Sequence, residues 1–183
     1  MKNLRMLAWC SGAALALGLG LPSTAHAADS AKGPFYVQAG VLGFSFRGGG
    51  AQWIGGAYKL DVEFGYHFSG RHDGFVLAGR QSFYMGGGAL GTTDLRIGYD
   101  IPIPLKDGKY ELTIAPYGLV GVGYALRGGL GTDLHLGAGV EGRFFPMQSN
   151  GFYVFARPVE LTFFVGSLSF WTISPSAGVG IAF

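Results

Sequence analysis

Thiol chemistry is missing from nearly all of this chain. Its one cysteine, Cys10, lies in a leader-like N-terminal stretch, so neither a disulfide framework nor a cysteine metal centre holds the remainder together. Charge is also scarce, at 13% of residues. With Lys2 and Arg5 of the leader set aside, the remaining basic residues equal the 11 acidic ones, which excludes a basic nucleic-acid surface. Beyond residue 27 no apolar run approaches the roughly 20 residues of a membrane-spanning helix. Gly48-Gly49-Gly50 is followed by no Lys-Ser/Thr, so it is no phosphate loop. What the chain has in quantity is glycine, 34 residues, and aromatics, 15% of the total. That combination fits a membrane protein built from strands.

The leader places Lys2 and Arg5 before an apolar segment from Leu7 to Leu21, and Ala25-His26-Ala27 supplies a small-x-small cleavage pattern. Residues 1–27 are therefore expected to be removed as a secretory signal, and residues 28–183 to form one domain. Trp9 stands before Cys10 where a lipoprotein signal wants a small residue, so lipidation is not expected.

Period decides the class. A strand sends successive side chains to opposite faces, and a barrel in lipid must keep one face apolar. From Tyr58 to Phe68, the residues Tyr58, Leu60, Val62, Phe64, Tyr66 and Phe68 alternate with Lys59, Asp61, Glu63, Gly65 and His67, a sorting no helical face achieves. Leu136 and Val140 alternate with His135, Glu141 and Arg143. Ile97, Tyr99 and Ile101 oppose Asp94, Arg96 and Asp100, and Val179, Ile181 and Phe183 oppose Gly178, Gly180 and Ala182. The expected lipid-facing set is thus Leu60, Val62, Ile97, Leu136, Val140, Val179 and Ile181.

The whole pattern predicts strands near 34–46, 56–68, 74–86, 90–102, 110–126, 132–145, 151–165 and 168–183, hence an all-β, eight-stranded antiparallel up-and-down transmembrane β-barrel. Connections after odd-numbered strands are glycine-rich, whereas the alternate ones, such as Ser69-Gly70-Arg71-His72-Asp73-Gly74, are polar turns. The termini share an end with the polar turns, which is expected to be periplasmic. Aromatics recur at both ends as interfacial girdles require, among them Phe35 or Tyr36, Tyr66, Tyr99 and Tyr153 at the inner end and Phe44, Tyr58 and Phe163 at the outer. Pro116, Pro158 and Pro175 fall inside strands and predict bulges. A register change at Pro158 is needed to keep both Arg157 and Glu160 out of lipid. Gln81 is a polar exception on an apolar face.

The terminal Val179-Gly180-Ile181-Ala182-Phe183 and the segment Gly137-Ala138-Gly139-Val140-Glu141-Gly142-Arg143-Phe144 resemble strands of the small outer-membrane β-barrel family that includes the OmpA transmembrane domain, OmpX and the opacity-type surface proteins. The resemblance covers residues 34–183 and implies location in a bacterial outer membrane. It also implies contact with lipid and lipopolysaccharide, and Phe183 as a signal to the barrel-assembly machinery. Long exterior loops are typical of that family. The loops expected here are short, which weakens loop-based adhesive or receptor-binding roles.

Eight strands enclose an interior that side chains fill. The inward charges expected to form a polar lumen network are Lys59, Asp61, Glu63, Arg80, Asp94, Arg96, Glu141, Arg143, Arg157 and Glu160, with Asp100, Glu111, Asp133 and His135 nearby. Counting back from the turn at 69–74 sets Glu63 opposite Arg80, and the two are expected to pair. Glu141 is expected near Arg157. The function expected is a monomeric structural or surface barrel without catalysis, cofactor, metal or nucleic-acid partner. Two alternatives stand beside it. One is a lipid A modifying enzyme of deacylase or acyltransferase type, for which His135 is the candidate base. The other is a narrow pore, favoured by inward Gly121, Gly123, Gly137, Gly139, Gly178 and Gly180.

Overall fold

The alternating segments pair edge to edge until the sheet meets itself. The computed structural model describes residues 32–49, 52–86, 89–106, 109–126, 132–147, 151–166 and 169–183. The expected signal segment, 1–27, lies outside them. The strands are β1 (Phe35–Gly49), β2 (Gln52–His67), β3 (Gly74–Met85), β4 (Leu90–Leu105), β5 (Tyr110–Ala125), β6 (Thr132–Phe145), β7 (Phe152–Val165), β8 (Phe170–Ile173) and β9 (Ser176–Ala182). All neighbours are antiparallel. β8 and β9 are two halves of one stave, and both pair with β7 on one side and β1 on the other. Because β1 also pairs with β2, the result is a closed eight-stranded up-and-down barrel. Phe35 and Phe183 seal its seam by exchanging backbone hydrogen bonds of 3.1 and 2.8 Å.

The turn between β2 and β3 shows how sequence sets register. Gly70 and Gly74 adopt φ of 75° and 74°, left-handed values suited to glycine. Phe68 N–H donates to Phe75 O at 3.0 Å, and from there Glu63 falls opposite Arg80.

The prolines behave differently from one another. At Pro158 β7 carries one residue more than β6 between Val140↔Val159 and Gly142↔Ala156, a bulge that leaves Pro158 and Val159 both on the outer surface. Pro175 breaks the eighth stave, which therefore is not the single strand expected over 168–183. At Pro116 the expected bulge is absent. The pairs Gly98↔Tyr117 and Ile101↔Ile114 keep one register across the gap, so the missing imide donor costs ladder pairs and no extra residue. A bulge with no proline occurs in β1, where Val41 and Leu42 both face outward and β2 has one residue fewer between Asp61 and Lys59.

The faces sort by polarity. Val62, Ile97, Leu136, Val140, Val179 and Ile181 lie exposed on the outer wall, and Leu60 is half-exposed there. Tyr66, Phe68, Phe75, Tyr99 and Phe144 ring one end of that wall. Of the alternatives Phe35 and Tyr36, Phe35 joins the ring beside Tyr66 and Phe183, and Tyr36 is buried inside. Tyr153 is an exception to the girdle expected from sequence: it is fully buried, because it follows the outward Phe152 by one residue. Gln81, outside, is satisfied by neighbours on its own wall: its amide donates to Tyr124 Oη at 2.6 Å and its carbonyl accepts from Thr93 Oγ1 at 2.7 Å.

Candidate functional site

The interior is where the chain concentrates its chemistry. Inward strand positions supply the buried cations Lys59, Arg80, Arg96, Arg143 and Arg157 and the buried carboxylates Asp61, Glu63, Asp94, Asp100, Glu141 and Glu160. At the mouths Lys32 and Asp133 add one of each sign. Among the described residues, the buried carboxylates outnumber the buried lysines and arginines by one. Such groups persist away from water only when paired and hydrogen-bonded.

The central layer is organised by two arginines. Arg157, on β7, donates from Nε to Glu141 at 2.6 Å, from Nη1 to Asp61 at 2.6 Å and from Nη2 to Glu63 at 3.1 Å, thereby joining β7 to β2 and β6. Arg96, on β4, donates to Glu63 at 2.6 Å and reaches Glu141 at 3.3 Å. Gln38 bridges the same two carboxylates at 3.1 and 3.0 Å, while Tyr36 Oη donates to Glu63 at 2.6 Å. Glu63 and Arg80 are register partners, yet each is held elsewhere: Arg80 turns to Glu160, which it shares with Lys59 and the Tyr117 hydroxyl. This corrects the pairing expected from strand counting. In a barrel this narrow a long inward side chain crosses to the far wall as readily as it meets its neighbour.

Toward the outer mouth, Asp94 accepts from Thr92 Oγ1 at 2.8 Å and lies 2.5 Å from His135 Nδ1. His135 therefore partners Asp94, whereas its sequence neighbour on the inward face is Asp133. Its Nε2 has no hydrogen-bond partner, and the ring is covered by Phe164 at 4.5 Å, itself stacked on Phe170 at 4.4 Å.

Toward the inner mouth, Arg143 joins Glu141, at 2.5 Å, to Asp100. Asp100 Oδ2 lies 2.8 Å from His67 Nε2, and His67 Nδ1 is 3.1 Å from the Pro34 carbonyl. His72 folds in from the β2–β3 turn, 4% exposed, and its Nε2 is 3.1 Å from Arg143 Nη1. Burial, reinforced by the Arg143 charge, holds the His72 imidazole well below the usual histidine range, so the ring is neutral. Tyr36, Phe145 and Tyr153 surround it, with ring centroids 5.2 to 5.8 Å away. Lys32 lies over the Phe145 ring and pairs with Glu111 at 2.7 Å.

Several inward glycines seat aromatic rings, whereas Gly121 lies against Asp94 and Gly137 against Thr162. A Cβ placed on Gly180 would meet Tyr153 at 2.3 Å, on Gly65 Tyr36 at 2.2 Å, on Gly139 Tyr117 at 2.6 Å and on Gly123 Phe164 at 2.5 Å. Tyr153↔Gly180, Tyr36↔Gly65 and Tyr117↔Gly139 are directly opposed pairs, so each ring lies across its partner's bare backbone. Sequence reading overlooked Tyr36, Gln38, Tyr117 and Tyr153 as network members. The signal was there in the pairing of an inward aromatic with a glycine on the next strand.

No protein-family model and no curated protein matches this chain. Among solved structures, it resembles Neisserial surface protein A (NspA) with a TM-score of 0.58 at 13% identity, covering 81% of this chain and 97% of that one. The N-terminal β-barrel domain of Pseudomonas aeruginosa OprF aligns at a TM-score of 0.42 and 16% identity, over 82% and 100% of the two chains. The Yersinia pestis outer membrane protein Ail aligns at 0.41 and 16%, over 83% and 100%. With an apolar outer wall, a charged and bridged interior and that likeness to NspA, the chain has the fold of the small eight-stranded outer-membrane β-barrels.

Proposed function

We propose that the protein is a monomeric, non-conducting barrel of a bacterial outer membrane, serving a structural or surface role in the envelope without catalysis. The observation that carries this reading is Arg157, whose three donors reach three carboxylates on two other strands and so occupy the middle of the lumen. Arg96, Arg80 and Lys59 add further bridges between walls. Ions crossing the barrel would have to break several buried pairs at once. Aromatic rings on Gly123, Gly139, Gly178 and Gly180, and the side chains of Asp94 and Thr162 against Gly121 and Gly137, take up the space that would have favoured the pore reading. Lipid and lipopolysaccharide are the partners such an outer wall meets, and Phe183, exposed at the chain's end, is the residue offered to the assembly machinery.

The test is planar-bilayer recording of the refolded protein. The wild type is expected to give no steady openings, and Arg157→Ala to give them. Large, steady openings from the wild type would overturn the reading.

A further inference from the structure

We propose that His72 is an acid-released latch, which pins the β2–β3 turn into the inner mouth of the barrel at neutral pH and frees it when its imidazole takes up a proton. The turn is otherwise self-contained. Gly70 N–H donates to His67 O at 3.3 Å, and Ser69 Oγ donates to Asp73 O at 2.8 Å and accepts from Arg71 N–H at 3.2 Å. Among the described residues, the 3.1 Å contact of Arg143 Nη1 with His72 Nε2 is the one hydrogen bond that ties a side chain of this turn to the lumen. Left-handed glycines, Gly70 and Gly74, stand on either side of His72, and their conformational freedom lets the segment swing without disturbing β2 or β3.

The Arg143 contact fixes the protonation state of the docked ring. A guanidinium only donates, so Nε2 accepts, and the single imidazole proton rests on Nδ1, which has no hydrogen-bond partner. An imidazolium has no lone pair at either nitrogen. Protonation would set N–H against N–H, and one cation against another, at that distance.

The other groups around the ring do not offset this. From β2 the His67 ring stands 4.2 Å away, and from the segment before β1 Lys32 lies over Phe145, whose ring is 5.2 Å from His72. Tyr36 of β1 and Tyr153 of β7 present their rings, while their hydroxyls donate to Glu63 and Gln38. Three carboxylates oppose the cations, and each is engaged. Glu141 of β6 pairs with Arg143 at 2.5 Å, and Glu111 of β5 with Lys32 at 2.7 Å. Asp100 of β4 comes within 4.8 Å of a His72 nitrogen, but it accepts from Arg143 and lies 2.8 Å from His67. Burial and the Arg143 charge therefore hold the docked imidazole well below the usual histidine range.

A released ring titrates like a histidine in water, at about pH 6.5. Docking keeps its full strength above that pH and weakens about tenfold for each unit below it, until the docked ring itself takes up a proton. Release uncovers Arg143 and Asp100 at the inner mouth. The Arg157 layer behind them keeps its own pairs, so the lumen stays shut.

The experiment is nuclear magnetic resonance of the tag-free, folded, isotope-labelled barrel in detergent, from about pH 7.5 to about pH 4.5, with a soluble gadolinium chelate present. At the upper pH the His72 ring is expected to carry its proton on Nδ1 and to be shielded from the chelate. At the lower pH it is expected to be doubly protonated and broadened as fully as its exposed neighbour Arg71. His72→Gln keeps an acceptor for Arg143 without a titrating proton, and is expected to leave the Arg71 and Asp73 amide signals unchanged across the range. Heat-modifiable gel migration shows that this variant folds. His67→Gln is expected to retain the release. A His72 ring already broadened at the upper pH, or one still shielded at the lower, would overturn the latch. So would a turn response that persists in His72→Gln or disappears in His67→Gln. Conductance enters neither readout, so such a failure leaves the non-conducting reading, tested by recordings, intact.

Discussion

Arg157 and Glu160 stand three residues apart in β7 and both face the lumen, an arrangement an unbroken strand forbids because its sides alternate every residue. The extra residue is one of the outward pair Pro158 and Val159. Deleting Pro158 puts Arg157 opposite Glu141 in regular register and keeps every other side chain on its side. Deleting Leu161 instead reverses one half of the strand, turning either Arg157 and Glu160 or Thr162 and Phe164 toward lipid. The Pro158 deletion is expected to assemble with normal heat-modifiable migration, and the Leu161 deletion to fail. Equal behaviour of the two would show that parity in β7 does not govern assembly.

Val140 lies mid-strand in β6 on the apolar wall, opposite Val159 and Pro116. Val140→Arg is expected to cost about 2–4 kcal/mol, the range for a basic side chain near the bilayer midplane. Equilibrium unfolding in urea from lipid vesicles measures it. A cost below about 0.5 kcal/mol would place this position away from the hydrocarbon.

Glu141 accepts from Arg96, Arg143 and Arg157 together. Glu141→Gln removes the shared counter-charge and leaves three buried guanidiniums with fewer carboxylates than they need. A loss of about 3–5 kcal/mol is expected, as for breaking a buried pair by removing one partner. Denaturant unfolding in detergent supplies the number, and a loss under about 1 kcal/mol would mean that water reaches this layer.

His135 has the hydrogen-bonded Asp94 that a general base needs, but Phe164 covers its ring and, among the described residues, no serine is bonded to its other nitrogen. Lipid A extracted from a host expressing the protein is expected to keep its acyl pattern by mass spectrometry, with and without His135→Asn. A changed pattern that reverts in the variant would establish an enzyme.

What the sequence made legible was everything that parity controls. The charged face of Tyr58 to Phe68, the register of Glu63 with Arg80 and the irregularity at Pro158 all follow from a period of two and one short turn. Partner choice inside the lumen did not follow, because Arg80 and Glu63, although register partners, lean to Glu160 and Arg96 on other strands. Tyr153 was misplaced in a girdle because an aromatic near a strand end looks alike on either face until its parity with Phe152 is fixed. The bulge at Val41 and Leu42 had no proline to announce it. His72 was legible as a turn residue, but its inward fold depends on space left between Tyr36, Phe145 and Tyr153, which no local pattern reports.

The longest-range contacts of the lumen bear on the order of events during biogenesis. Gln38 meets Glu141 across 103 residues of chain, and Lys59 meets Glu160 across 101. Neither contact joins adjacent strands, so neither exists in an open sheet, however many hairpins have already formed. Until the seam between Phe35 and Phe183 shuts, five buried cations and six carboxylates lack part of their compensation, and only water can supply it. A half-made sheet entering the hydrocarbon dry would pay for those groups in full. The interior thus serves as a checkpoint on closure: the last hairpin to arrive makes the first arginines affordable, and insertion and completion become one cooperative step.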